Sequence, residues 1–375
     1  MTGPPGAARA VGPVEAFAAE VGPVGTGPVV AVGGRTQWAV GGAIDPAAGA
    51  REVRAPAGIV AVEAADMTVR VRAGTTVADV DDALAEVGQT VAVPAWPGAT
   101  VGGVLAVGQS GLRRLGWGPV RDTVLEVRYV SAEGTVVKAG GPTVKNVSGF
   151  DLCRLLVGSL GTLGLLAEVV LRTRPLPPTE RWLAGETDPF ALLPRLHRPA
   201  AVLWDGTTTW VLLDGHPADV GAEAALAARA GLSEVEGPPD LPPHRWSLRP
   251  SELSALAPAR APDPGPGGAR PDGEPGGPAP EGGGTVAIPD GEPGGAAPDG
   301  GRFVAELGVG VVHCDAPPPP VAVEPAVAAL HRRLKGLFDP TGRLAPGRDP
   351  LARAGAGAGS GTGAGTGTGS GAGSP

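Results

Sequence analysis

The sequence predicts an α+β chain with a larger domain at 13–178, a small, reduced α+β domain at 179–316, and a helix and turn at 322–348 that return to the first domain. Three observations predict it. Residues 141–178, GPTVKNVSGFDLCRLLVGSLGTLGLLAEVVLRTRPLPP, read as a glycine turn, a short apolar helix, a second glycine turn and a strand. TVLEVRYV, SAEG and TVVKAG, from 123 to 140, read as a hairpin. From 180 onward the strands and one helix form a separate, shorter set.

Composition bounds the rest. Of 375 residues, 63 are glycine and 43 proline, concentrated in the window 258–301 and the tail 354–375, which hold almost no large apolar side chain and are expected to be disordered. The net charge of −8, with no tracking Lys/Arg cluster, argues against a nucleic-acid surface. No run of 18 apolar residues and no signal-peptide core appear, so the expected location is cytoplasmic, with no transmembrane segment. Cys153 and Cys314 stand alone without CxxC spacing, which gives no support to structural zinc, an iron–sulfur cluster or a disulfide framework.

In chain order, 13–20 forms a helix packing Val14, Phe17 and Ala18, and 28–32 a strand opening into GGRTQWAVGG at 33–42. Glycines there let successive backbone donors converge on an anion, although the loop is neither GxGxxG nor a Walker loop, and a simple turn reads equally well. Short strands follow over 51–73, the last with Met67, Val69, Val71 and Ala73 inward and Thr68, Arg70 and Arg72 on a wet face. Thr76 caps a helix over 77–87 with Val77, Val80, Leu84 and Val87 as its stripe, ended by Gly88. PAWPGATVGGVLAVGQSG at 94–111 is the second glycine-rich region, with a small-residue helix from Thr100 to Ala106. Arg113, Arg114 and Arg121 are placed on a loop, where salt-bridging is the ordinary role and anion binding the alternative. Leu125, Val127 and Tyr129 share a strand face, which makes Tyr129 a core residue.

Asp151 caps the helix of the 141–178 stretch, with Leu152, Leu155, Leu156 and Leu160 on one buried face. Gly158, Gly161 and Gly164 then allow backbone N–H groups to approach a ligand. Strand 165–173 ends against Pro175. RWLAG, AAVLWDG and TWVLLDG supply strands, AEAALAARAG at 222–231 a helix, and RFVAELGVGVVHC a strand pair. From Pro325, Val327, Leu330, Leu334 and Phe338 give a helical stripe that needs a partner in the first domain.

VPAWPGATVGG, Arg121 with Asp122, the hairpin and above all KNVSGFDLCRLLVGSLGTLGLLAEVVLRTRP resemble the FAD-binding domain of the vanillyl-alcohol-oxidase and PCMH superfamily. Within it, the chain is similar to the FAD-binding E subunits of bacterial glycolate oxidases over about 25–178, FVAELGVGVVH and LKGLFDPTGRLAPG, with a poor match over 180–300. The resemblance implies a two-subdomain PCMH-type FAD-binding fold, with 179–316 as a reduced substrate, or cap, domain. By motif position, it places Gly33, Gly34, Arg35, Thr36 and Gln37 around the pyrophosphate. Pro97, Gly98, Ala99, Thr100, Gly102, Gly103, Ser110 and Gly111 would run past the flavin and ribityl chain, and Ser159, Gly161, Thr162 and Gly164 would meet the diphosphate or adenosine side. Relatives with covalent flavin often carry a histidine beside the first loop; Thr36 and Gln37 stand there, so non-covalent FAD is expected.

The implied function is the FAD-binding subunit of a 2-hydroxy-acid, glycolate-like dehydrogenase or oxidase. It would work beside a larger flavoprotein subunit and an iron–sulfur subunit, and sit at the membrane, if at all, through them. The alternatives are a stand-alone FAD oxidoreductase acting on another alcohol or a sugar lactone, and a flavin-free structural subunit. The five histidines form no cluster, and His313 is the best placed by topology for a base; no catalytic residue and no metal site is assigned.

Overall fold

The computed structural model describes residues 11–141, 151–256, 301–317 and 323–355. Nearly all of the 258–301 window and of the 354–375 tail lies outside these residues, as does 142–150 of the glycine-rich stretch.

Alternating apolar residues build the first sheet. Its strands are β1 (Val29–Ala31) and β2 (Arg51–Val53), which pair in parallel apart from the rest, then β3 (Ile59–Glu63), β4 (Thr68–Arg72), β5 (Gln89–Val91), β6 (Val124–Val130), β7 (Val136–Gly140) and β8 (Leu165–Pro175). The order β3-β4-β8-β6-β7 puts β8 at the centre, with β5 paired to its C-terminal end. Helices α1 (Pro13–Val21), α2 (Val77–Ala85), α3 (Val101–Val107), α4 (Arg114–Trp117) and α5 (Leu152–Leu156) surround it. Val77, Val80 and Leu84 of α2 and Val101, Val104 and Leu105 of α3 pack with Val69, Val71, Val169 and Leu171 in the main core, each burial stabilising by about 1.5–3 kcal/mol. α1 packs Val14, Phe17, Ala18 and Val21 against Val130, Leu165 and Leu344 in a second core.

A second, seven-stranded antiparallel sheet holds β9 (Thr179–Gly185), β10 (Ala201–Trp204), β11 (Thr209–Gly215), β12 (Ser233–Val235), β13 (His244–Ser247), β14 (Phe303–Glu306) and β15 (Val311–Cys314), in the order β12-β9-β11-β10-β14-β15-β13. One face packs with α6 (Pro189–Leu192) and α7 (Pro217–Arg229); the other, carrying Trp182, Leu203, Leu212 and Val304, meets Leu112 of the first domain.

The caps form where the residues ask for them: Thr76, Thr100 and Asp151 accept from Asp79, Gly103 and Arg154 N–H at 3.0–3.2 Å. Several expectations change. The supposed wet face of β4 is ionic, because Arg70 reaches the buried Glu126 at 2.8 Å and Glu168 at 3.2 Å. A register shift between Val124 and Glu126 turns Glu126 inward and leaves Leu125 half-buried, which alternation alone cannot show. Met67 lies outside β4 in the left-handed region, and Val87 falls beyond α2 at 45% exposure. α7 begins at Pro217, five residues before the 222 expected. Arg113 and Arg114 sit at the start of α4 rather than on a plain loop. Leu160 is not on a helix face at all, since α5 ends at Leu156. α8 (Pro325–Phe338) does return to the first domain, but only Phe338 packs partly on its core, and Val327, Leu330 and Leu337 are exposed.

What fastens the C-terminal segment is polar. Arg343, 3% exposed, donates to the carbonyls of Val21, Gly22, Gly27 and Ala132 and to Thr26 Oγ1. Asp339 accepts from the backbone N–H of Arg343 and Leu344 and from Lys335 Nζ, which also donates to Thr162 O. Arg343→Met is expected to destabilise the fold by about 4 kcal/mol through the carbonyls it strands, read from denaturant midpoints; a loss below about 1 kcal/mol would mean that these carbonyls find water instead.

The two cysteines are buried and free. Burial, then the charges of Asp151 and Glu126, push the Cys153 thiol up to about 11, and burial, then Asp315, does the same to Cys314, up to about 11. The native state thus favours the protonated thiols, so their contribution to stability is present below the ordinary thiol value and is lost as pH rises toward 11. Both thiols are expected to resist Ellman's reagent in the native protein at mildly alkaline pH and to react fully in denaturant.

Candidate functional site: a glycine-walled cleft

Three backbone segments meet at the end of the first domain. After β1 the chain enters Gly33–Gly42, with Arg35 at φ 57°. A Cβ on Gly34 would fall inside the Gly98 carbonyl and one on Gly33 inside Thr100 Oγ1, so this loop lies against the turn that opens α3. Gly102 donates its N–H to Ala73 O at 2.7 Å, and a Cβ there would meet Ala73 Cβ at 2.7 Å, so α3 sits directly on the end of β4. The third segment follows α5: Gly158 and Leu160 donate to the carbonyls of Leu105 and Ala106 at 2.8 and 2.9 Å, and Leu160 takes φ 56°.

Between these segments runs a two-lobed cleft, its lobes enclosing about 70 and 80 Å³ and sharing Ala31, Gly33, Thr100, Gly103, Ala106 and Leu160. Of the residues expected to hold a cofactor, Gly33, Gly34, Arg35, Thr36, Gln37, Thr100, Gly102, Gly103, Ser159, Gly161 and Gly164 line it. Others do not. Pro97, Gly98 and Ala99 form the turn behind Gly34, with Ala99 N–H bonded to Trp96 O at 2.8 Å. Thr162 is 1% exposed and spends its hydroxyl on Ser159 O at 2.7 Å. Ser110 and Gly111 line a different cleft, between the two sheets.

Leu160 and Arg348 belong to the site and were not anticipated. Leu160 read as a helix position, and only its left-handed backbone turns it into the cleft. Arg348 lies more than 300 residues from the loop it touches, donating to Val40 O at 2.6 Å and lying over the Trp38 ring at 4.6 Å. It has no carboxylate partner among the described residues, and burial lowers its pKa.

His313 also gains partners that no sequence spacing shows. β13, β15 and β14 are adjacent, so Arg245 and His313 are cross-strand neighbours and Glu306 lies on the next strand. His313 Nε2 is 2.8 Å from Glu306 Oε1, and Arg245 reaches Glu306 at 3.5 Å and Ser110 O at 3.0 Å. The three lie outside the cleft and touch the first domain through Ser110. Among the described residues, no three His, Cys, Asp or Glu side chains stand together as a metal site.

Residues 25–140 match the FAD binding domain family. They are an FAD-binding domain. The chain is 39% identical over 131 residues to the glycolate oxidase subunit GlcE of Escherichia coli, covering 34% of this chain and 37% of that protein. It is 42% identical over 106 residues to a D-lactate dehydrogenase of Archaeoglobus fulgidus, and 41% identical over 85 residues to the glycolate oxidase subunit GlcD of Bacillus subtilis. These alignments cover 28% and 23% of this chain, and 24% and 18% of those relatives. The aligned part thus spans little more than a third of the curated relatives at most. A solved alkyldihydroxyacetonephosphate synthase superposes with a TM-score of 0.45 at 16% identity, over 56% of this chain and 48% of that one.

The FAD-binding domain and the cleft agree physically. FAD carries a diphosphate, and the cleft offers close-packed glycine backbone with an arginine that lacks a counter-ion. Among the described residues, no histidine, cysteine or tyrosine lines either lobe. No described helix is long and apolar enough to cross a membrane. Gly34→Ala is expected to lower thermal stability by several degrees, because the 33–38 loop must leave the Gly98 carbonyl; an unchanged melting temperature would show that the loop does not need the contact.

Proposed function

We propose that this chain is the FAD-binding subunit of a 2-hydroxy-acid dehydrogenase of the glycolate or lactate type and holds its FAD without a covalent bond. The observation that carries it is the cleft, where backbone glycines and Arg348, without a carboxylate partner among the described residues, converge and no described lining side chain is a histidine, cysteine or tyrosine. In this reading Gly33–Gln37 and Arg348 hold the diphosphate, and Thr100, Gly103, Ser159 and Gly161 lie along the extended cofactor. The flavin supplies the redox chemistry when bound. The likeness to two glycolate oxidase subunits supports membership of a multi-subunit complex; that its other members are a larger flavoprotein subunit and an iron–sulfur subunit is part of the proposal.

The protein's side of the reaction is to bind, orient and accept a proton. The group proposed as the base is His313, hydrogen-bonded to Glu306 next to Arg245, which reaches the first domain through Ser110 O.

The purified protein is expected to be yellow and to release all its flavin into the filtrate on denaturation; colour that stays with the polypeptide refutes non-covalent binding. Arg348→Gln should weaken FAD by tenfold or more, the order of one charge-assisted hydrogen bond. Anaerobic glycolate or D-lactate should bleach the flavin, alone or once co-purified subunits are added. Failure with both, complex included, removes the hydroxy-acid assignment.

A further inference from the structure

A second opening, larger than either lobe of the glycine-walled cleft, lies between the two sheets and encloses about 550 Å³. Trp96 borders it from the segment after β5, Trp117 from α4 and Trp182 from β9, with Leu112, Leu176 and Pro177 between them. Trp117 is fixed in place, with Arg113 and Arg174 over its ring at 4.8 and 4.3 Å and its Nε1 donating to Asp214 at 2.9 Å. Ser110 and Gly111, which the family resemblance sets beside the flavin, are part of the same wall.

The charges of this cleft do not balance locally. Arg113 is committed to Glu180 and, at 2.8 Å, to Asp214. Asp81 accepts from Thr90 Oγ1 at 3.3 Å, and burial raises its pKa, which favours the neutral acid. Arg114 alone is left, half-buried and with no ion pair or side-chain hydrogen bond among the described residues. It acts repulsively on Arg245, whose contacts are Glu306 and Ser110 O. An unpaired guanidinium beside indole and proline surface suits an anion with an apolar body.

We propose that this cleft binds a carboxylate carrying an aromatic or bulky apolar group, with Arg114 on the carboxylate and Trp96 and Trp182 against the apolar part. That this ligand is also a 2-hydroxy acid rests on the function proposed above; the recognition of its carboxylate and apolar group does not. A two-carbon acid would engage the guanidinium and leave the indole surface wet, so the cleft selects a larger side group than glycolate carries.

The test is calorimetric binding to the FAD-loaded protein, with 3-phenyllactate, hydrocinnamate (no hydroxyl), 3-phenylpropan-1-ol (no carboxylate) and glycolate as probes. Phenyllactate and hydrocinnamate should bind about a hundredfold more tightly than glycolate, the order expected from burying one ring. Arg114→Gln should weaken both acids by about tenfold or more and leave the alcohol unchanged. Trp96→Ala should weaken all three aromatic probes, and Arg114→Gln, at a half-exposed position, keeps the test independent of any folding defect in that variant. Equal affinity for glycolate and phenyllactate, or acids indifferent to Arg114→Gln, overturns the proposal. So does binding seen only in FAD-free protein, because the flavin would then occupy the cleft. Phenyllactate binding without flavin bleaching would keep the cleft and sink the oxidation; bleaching by glycolate with no phenyllactate binding would do the reverse.

Discussion

The first domain depends on a buried guanidinium at the far end of the chain. Arg343 holds four backbone carbonyls that belong to the end of α1, the turn after it and the turn of the β6–β7 hairpin. Val21 O also accepts from Arg51 Nη2 and Thr26 Oγ1, and a buried carbonyl left without a donor costs about as much as the bond it lacks. Asp339 and Lys335 hold the arginine's own segment in place, and Leu344 then completes the apolar core under α1. The residues just beyond that segment include Arg348, so the same anchoring that finishes the fold also delivers a cation to the cleft.

The cleft itself follows from small side chains. Gly33, Gly34, Gly102 and Gly108 allow backbone to touch backbone or a neighbouring side chain where a Cβ would not fit, and the space along the seam is what remains. In the function proposed above, an acidic protein, −8 overall, holds a diphosphate through glycine backbone and one local arginine rather than a basic surface. The junction with the second sheet is built in the opposite way, from tryptophan and proline surface with a few charges, and it is tied by Arg245 to Ser110 O.

Much of this was legible in advance. The strand core within 67–73, the hairpin, the caps at Thr76 and Asp151 and most of the strand read at 165–173 depend on near neighbours, which a sequence displays directly. The glycine loops were legible as candidates for the same reason. Leu160 was not, because leucine carries no mark of a left-handed backbone. Nor was the inward Glu126, which depends on a register shift in the pairing with β8. Ser110 and Gly111 were read together with the glycine-walled cleft, and the turn of chain after α3 carries them to the other opening.

The sequence by itself determined most of the helices and strands, which loops are stripped of side chains, and that the chain carries an FAD-binding domain, since these depend on local chemistry and on ordered motifs. Only the tertiary structure decided which charges are left without partners. Arg113 and Arg114 are neighbours in sequence, yet one is neutralised by Glu180 and Asp214 from the other sheet and the other faces a cleft alone. His313 likewise becomes a held group only when Glu306 and Arg245 arrive on adjacent strands. A charge is defined by what lies within a few ångströms of it in space, and chain order does not carry that information.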